Sequence, residues 1–391
     1  MNSPQQRVEI AIGGVAMPRW LSFTLARDLR DIAGRFTVSF FDAGRAAAAL
    51  PGAPAPSPLP APVQRRQSVT ITLDGDLVLD GWIDGMEGEW TSDALNISIS
   101  GRDKTGDLAD CSAAPTGPGE WRNATLLQIA QQVCAPFGIT VRAATDTGAP
   151  FKRLAINPHE SALSLLEKAA RQRAVLLVSD GVGGLLLTSG GRARAAADIR
   201  AGGNAQRLAF QFDDTRRFSD IYVKGQSEKA AGQRTLVVPP MDHDWTPGEL
   251  ASLTGAQATE AKGILITGHA VDREVTRYRP HVRLTRTQSG SATGQQQAEW
   301  AVRLARGEST SLRYTVLDWR VDGTLWKPNT VARVYDPYAG IDDDMLIRAV
   351  TYRSGPDGAQ PQTPLTDIEV VGVTAFDRID EPQPRRPLKV R

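Results

Sequence analysis

Between residues 7 and 110 apolar and polar positions alternate in short runs. Val8, Ile10 and Ile12 form one such run, Leu21, Phe23 and Leu25 a second, Phe36, Val38 and Phe40 a third, and Val69, Ile71 and Leu73 a fourth. Leu95, Ile97 and Ile99 alternate in the same way with Asn96, Ser98 and Ser100. A period of two puts one dry and one wet face on each run, so all are predicted strands. Turn signals at Gly13-Gly14, Gly34, Asp74-Gly75 and Gly85 separate them, which suggests a small barrel or sandwich. Leu50–Pro62 alternates proline with small residues. Proline lacks the amide donor a sheet interior needs, so this piece reads as an extended surface loop, with a Pro-x-x-Pro recognition ligand as the alternative.

The period then changes. Leu126, Ile129, Ala130 and Val133 make the stripe of an amphipathic helix capped by Asn123 and ended by Phe137-Gly138. Ile139 and Val141 read as a short strand. Leu165, Leu166, Ala169 and Ala170 mark a second helix, and residues 174–179 and 185–188 a hairpin across Asp180–Gly184. Residues 111–203 are therefore an α+β module. Strands return at Leu208, Phe210 and Phe212 and at Phe218, Ile221, Tyr222 and Val223. The stretch 226–294 is polar and broken by Pro239-Pro240 and Pro247. Gln295–Arg306 reads as a helix with Ala298, Ala301, Val302 and Ala305 on one face, and the chain from Leu312 is β again. Asp380–Arg391 is a proline-rich, basic tail. The strand rhythm of Val69–Gly101 recurs over Thr330–Gly372, with turns at Tyr338-Ala339-Gly340 and Pro356-Asp357-Gly358, although residue identity between the two is poor.

The chain has 391 residues, 41% hydrophobic and 23% charged, which points to a globular protein of several domains. A net charge of +1, from 45 basic and 44 acidic residues, argues against specific nucleic-acid binding. Neither a secretory signal nor an apolar run long enough for a membrane anchor is visible. Cys111 and Cys134 are expected to be reduced, buried and inert.

Candidate chemistry is sparse. His159, His243, His269 and His281 form no zinc-ligand spacing, and Asp242-His243-Asp244 reads as a solvated loop. Ile341-Asp342-Asp343-Asp344 lacks the ligand spacing of a calcium loop and reads as an acidic turn. Asp180–Gly184 lacks the Lys-Ser/Thr of a phosphate loop. Glu87 and Glu89, near Trp82 and Trp90, are the one carboxylate pair placed for sugar chemistry, and an outer sheet surface is the simpler reading. Trp319, Trp326, Tyr335 and Tyr338 read as core, with an interface as the alternative. No catalytic group, cofactor or metal is expected. Arg102-Asp103-Lys104-Thr105, with Asp107, form a dense polar elbow just past a strand.

That elbow carries a resemblance. Gly101-Arg102-Asp103-Lys104-Thr105-Gly106-Asp107-Leu108, followed by Asp110-Cys111-Ser112-Ala113, resembles a signature of the baseplate hub proteins of Mu-type contractile-tailed phages. His159–Ala170 with its following hairpin is similar to a unit that such hubs share with the hub half of type VI secretion spikes. Gly323–Thr330, with Asp344-Met345-Leu346-Ile347 and Ala375-Phe376, is the third match. The Leu50–Pro62 insertion and the chain after Phe376 depart from the family pattern.

The resemblance implies an α+β, β-dominated chain of phage tail hub type, with two similar small β-barrel (tube-like) domains and α+β inserts. The expected division is a first barrel at 1–110, the module at 111–203, a second barrel at 204–234 plus 312–379, a mixed insert at 235–311 and a tail at 380–391. It also implies a homotrimer in the baseplate of a virion tail, assembled in the host cytoplasm. Its partners would be the six-fold tail tube, the three-fold central spike and other baseplate proteins. Arg102, Asp103, Lys104, Asp107, Trp326 and Asn329 are the candidate structural or interface residues. The alternative functions are a cell-wall hydrolase or carbohydrate-binding module at Trp82/Glu87/Glu89/Trp90, and a hub in a type VI-like or headless-tail particle.

Overall fold

The structure, a computed structural model, describes residues 7–17, 20–41, 63, 66–90, 95–113, 117, 119–157, 159–173, 175–226, 264–285, 294–354, 364–373 and 375–376. The 50–62 segment, Asp242-His243-Asp244, residues 235–263 of the expected insert, the Pro356-Asp357-Gly358 turn and the tail lie outside these residues. Two compact units are present, Met1–Thr215 with Arg306–Arg391, and Arg216–Ala305.

The first unit begins with β1 (Val8–Ile12), β2 (Val15–Ala16), β3 (Ser22–Asp28), β4 (Arg35–Phe41), β5 (Ser68–Leu73), β6 (Asp76–Trp90) and β7 (Leu95–Asp103). Their order in the sheet is β2-β1-β5-β6-β7-β4-β3. The alternation does what it predicts: Val8, Ile10, Ile12, Phe23, Leu25, Phe36, Val38, Val69, Ile71 and Leu73 all face one core. Leu21 precedes β3 and is exposed.

The module follows, with α1 (Asp107–Asp110), β8 (Glu120–Trp121), α2 (Leu126–Cys134), β9 (Val141–Ala143), β10 (Leu154–Ala155), α3 (Ala162–Arg171), β11 (Leu176–Ser179) and β12 (Leu185–Thr188). It has its own core, in which Ile129 and Val133 of α2 meet Leu165, Leu166 and Ala169 of α3. The cap of α2 is Thr125, not Asn123. The Thr125 side chain and Gln128 form a reciprocal capping box, while Asn123 sits two residues earlier at φ 51°. Cys134 is buried, which pushes its thiol up to about 12. Cys111, expected in the core, is exposed, because it ends α1 at the surface.

Two strands, β13 (Ile199–Arg200) and β14 (Ala205–Phe212), return to the main sheet. The second unit holds β15 (Asp220–Gln226), β16 (Ile264–Val271), β17 (Pro280–Thr285) and most of α4 (Gly294–Ser309). Its sheet runs β16-β15-β17, and Ala298, Ala301 and Val302 pack on Ile221, Val223 and Ala270. Residues 220–226, expected in the second barrel, thus pair within this separate unit. Their apolar run matched any sheet, and β16 and β17 supply the ladders.

The chain re-enters the main sheet with β18 (Thr310–Leu317), the hairpin β19 (Arg320–Val321) and β20 (Thr324–Leu325), then β21 (Val331–Asp336), β22 (Ile341–Ser354) and β23 (Leu365–Gly372). Asp342–Asp344, expected as a turn, are the first residues of β22 and pair with β21. The order here is β14-β18-β23-β22-β21-β13, which repeats β3-β4-β7-β6-β5-β1, except that β13 runs parallel to β21 where β1 runs antiparallel to β5. Both long strands shift register midway, β6 between Ile83 and Gly85 and β22 between Ile347 and Ala349, against β7 and β23 respectively.

The two halves are not separate. The far part of β22 pairs antiparallel with β3, from Ala349↔Asp28 to Ser354↔Phe23. A single thirteen-stranded sheet results, with one core running from Ile10 and Phe23 through Trp319, Tyr352 and Val370. Among the described residues no ladder closes either half into a barrel of its own.

Candidate functional site

The polar elbow is where β7 leaves the sheet. Gly101 is required there, because a Cβ would stand 1.9 Å from the Trp82 carbonyl oxygen of β6. The chain then turns through one 3-10 turn, Lys104–Gly106, capped by Asp103. Asp103 is only 2% exposed. Its carboxylate accepts from Gly34 N–H (2.8 Å), in the β3–β4 turn, and from Thr105 N–H (3.1 Å). It also bonds the hydroxyls of Thr105 and of Ser179 on β11. The Thr105 hydroxyl reaches the Ile32 carbonyl oxygen at 2.7 Å. Burial raises the Asp103 carboxyl above its ordinary value, and these hydrogen bonds and the Arg27 charge offset that only in part.

Around this buried center lie half-buried and exposed charges. Arg102 pairs with Asp110 (2.6 Å) and Asp84 (2.7 Å), which raise its guanidinium; in return Arg102 holds Asp110 below its usual range. Asp107 is raised by partial burial and by Asp84. Lys104 pairs with Asp80 of β6. All four elbow candidates thus meet in one cluster that joins β6, the β3–β4 turn, α1 and the β11–β12 hairpin.

Trp326 and Asn329 lie elsewhere. Trp326 is fully buried in the main core, and its carbonyl oxygen accepts from the Tyr352 hydroxyl. Asn329 stands at φ 65° and ties the second half to the end of β12. Its amide donates to Ser189 O (3.0 Å) and Thr188 Oγ1 (3.3 Å), and its oxygen accepts from Gly191 N–H (2.7 Å). Between the elbow and this clamp opens a cleft of about 770 Å³, lined among others by Arg27, Arg142, Asp180, Lys327 and Asn329. Asp180 is held below its ordinary value. Burial opposes this, but N–H groups of Val182 and Gly184 and the Arg142 guanidinium prevail. The cleft wall carries both signs of charge, and among the described residues no group of His, Cys, Asp and Glu is arranged to hold a metal ion.

Comparison with known proteins decides the family. The chain is 30% identical over 352 residues to the baseplate hub protein gp44 of Escherichia phage Mu, covering 88% of this chain and 83% of that protein. The chain belongs to the Mu-type baseplate hub family. Three family profiles match in order: Mu phage baseplate assembly protein GpP-like, N-terminal, over residues 7–103; baseplate hub protein gp44-like, second domain, over 105–189; and Mu phage baseplate assembly protein GpP, fourth domain, over 290–372. Among solved structures, the 43 kDa tail protein of prophage MuSo2 from Shewanella oneidensis matches with TM-score 0.75 and 28% identity, covering 95% of this chain and 99% of that one. A tail protein from Neisseria meningitidis MC58 shares the fold at TM-score 0.68 and 18% identity, with 95% and 97% covered.

The first two profiles of this hub family meet at residues 103 and 105, so the elbow is the joint between two family domains. Its charges face one another across that joint. The surface considered for sugar chemistry is real as a surface: Trp82, Glu87 and Glu89 are exposed, and the register shift at Asp84 puts Trp82 and Glu87 on one face despite their odd spacing. The late aromatics divide, with Trp319 and Trp326 buried and Tyr335 and Tyr338 exposed. Sequence reasoning missed Arg7 and Arg320. Arg7 bridges Asp74 and Asp318, and Arg320 bridges Asp74 and Asp76, across the two halves of the sheet. Their only sequence signal is the tight Asp74-Gly75 turn. Phe210 and Phe212, strand residues by their alternation, stand 65% and 64% exposed on an edge strand.

Proposed function

We propose that this chain is the structural hub of a contractile phage or prophage tail baseplate. In this reading three copies close into a ring that adapts the six-fold tail tube to the three-fold central spike. The observation that carries it is the repeated strand order. One polypeptide holds two half-sheets of matching strand order, so three copies present six similar units to a six-fold tube. Each half acts as one tube-like domain. The first ends at the elbow near residue 110, the module follows to about residue 203, and β14 with residues 312–372 makes the second. The ties at the elbow and at Asn329 hold the module at a set angle, as a scaffold requires. The family's named relatives are baseplate and tail proteins, which supports a scaffold over a hydrolase. Partners are the tube, the spike and neighboring baseplate proteins of the same tail, and the assembled particle is the site of action.

Imaging of the assembled tail tests this. Three copies of the chain, in a ring between tube and spike, are expected. A different copy number, or a position away from the axis, refutes the reading. A peptidoglycan release assay with Glu87→Gln and Glu89→Gln is expected to show no turnover to lose.

A further inference from the structure

The two half-sheets allow a residue-by-residue comparison of their edges. Aligning the register shifts of β6 and β22 makes Gly85 equivalent to Ala349, Met86 to Val350, Glu87 to Thr351 and Gly88 to Tyr352. Following the ladders outward makes Leu208 equivalent to Phe23, Phe210 to Leu25, Gln211 to Ala26 and Phe212 to Arg27. Within the chain, the edge of β3 docks on the far part of β22. The equivalent edge, residues 207–212 of β14, pairs on one side only with β18, and the equivalent receptor, residues 85–90 of β6, pairs on one side only with β7, among the described residues.

Burial follows this difference. Phe23 and Leu25 are 1% and 0% exposed, and Val350 and Tyr352 are buried with them. Their equivalents on β14 are Leu208, half-buried, and Phe210, 65% exposed; Phe212, two residues on, is 64% exposed. On β6, Glu87, Gly88 and Glu89 are exposed. An edge strand with two adjacent open phenylalanines is a template for pairing.

We infer that β14 of one copy adds antiparallel to residues 85–90 of β6 in the next copy, repeating between subunits the β3–β22 junction found within each. The inference rests on the ring reading above and names the surface that closes it. The transferred register sets Met86 opposite Phe212, Glu87 opposite Gln211, Gly88 opposite Phe210 and Glu89 opposite Ala209. The inner pairs are apolar and complementary in size: a phenylalanine ring lies over a glycine where Leu25 meets Tyr352 inside the chain. On the outer face Glu89 lies diagonal to exposed Arg207, a favorable opposite-charge neighbor. In a trimer, three internal and three external junctions then alternate around the ring, and neither β14 nor the 85–90 stretch of β6 keeps an open edge.

Cysteine cross-linking tests this on the full chain in a Cys111→Ser background. Glu87→Cys with Gln211→Cys is expected to give covalent trimer under mild oxidation, and two chains carrying one cysteine each should give mixed dimer. Phe210→Glu with Phe212→Glu is expected to lower the cross-linked yield at least about tenfold. If circular dichroism shows that this double variant is unfolded, the cross-link with native phenylalanines decides alone. A chain that is trimeric by light scattering but forms no Glu87–Gln211 cross-link overturns the surface and leaves the ring standing. A chain that stays monomeric at every concentration and forms no cross-link overturns both.

Discussion

Leu25 on β3 and Phe210 on β14 hold equivalent places in two half-sheets of the same strand order, yet one is 0% exposed and the other 65%. Chemistry does not separate them, since both are large and apolar. The difference is the neighboring strand: β22 pairs with β3, and among the described residues no strand pairs with the outer edge of β14 at Phe210. Duplication inside one chain provides two edges, and the chain itself can satisfy only one. The other stays open among the described residues, so the equivalent strand is a core element in one half and a surface in the other.

The largest expected effect breaks the covered edge. Leu25→Ala should destabilize the isolated chain by about 3 kcal/mol, from lost burial and an unfilled cavity. Phe210→Ala at the open edge should change it by less than about 0.5 kcal/mol. Urea unfolding of the two variants reads this directly, and equal losses would remove the distinction between the edges.

Asp103 ties the first half to the module. Asp103→Ala leaves the Gly34 and Thr105 amides without their buried acceptor, and a loss of about 2 kcal/mol is expected in the same assay. Its pH dependence has a definite sign. Because the folded carboxyl is raised above 3.8, the native state holds this proton more tightly than the unfolded chain does. The contribution is therefore most favorable at low pH and declines as pH rises from about 4 toward the folded value. Asp103→Asn should accordingly gain on the native protein over that window. A difference independent of pH would show that the carboxyl is not raised.

The second half is tied to the module by Asn329. Asn329→Ala should lose about 1–2 kcal/mol, since three hydrogen bonds go and alanine disfavors φ 65°. Asn329→Gly, which relieves only the backbone, should recover part of it.

The smallest effect concerns the β5–β6 turn, where Asp74 meets Arg320 of the second half. Arg7, and secondarily Arg320, hold Asp74 below 3.8. The resulting stability is present above the unfolded value and is lost as pH falls through the lowered one. Asp74→Asn should cost under about 1 kcal/mol at neutral pH, because the pairs are partly exposed. That difference should vanish in acid, as followed by thermal melts across pH.

Much of this was legible locally. The period-two runs of β1, β4 and β5, the stripes of α2 and α3, and the Asp180–Gly184 hairpin follow from side-chain spacing and turn chemistry alone. The elbow was visible as a dense polar cluster, and the recurrence of Val69–Gly101 in Thr330–Gly372 is seen in β5-β6-β7 and β21-β22-β23. What reads poorly is anything needing a distant partner. The elbow's acceptor role depends on Gly34 and Ser179, and the burial of Trp326 depends on Tyr352.

Sequence by itself determined the strands, the helices, their faces and the duplicated rhythm, because each depends on residues a few positions apart. Only the tertiary structure decided that the halves share one sheet, that residues 220–226 leave it, and which edge strand stays open. An alternating strand offers the same backbone groups to any neighbor, and its pattern marks a face to be buried without stating what will bury it.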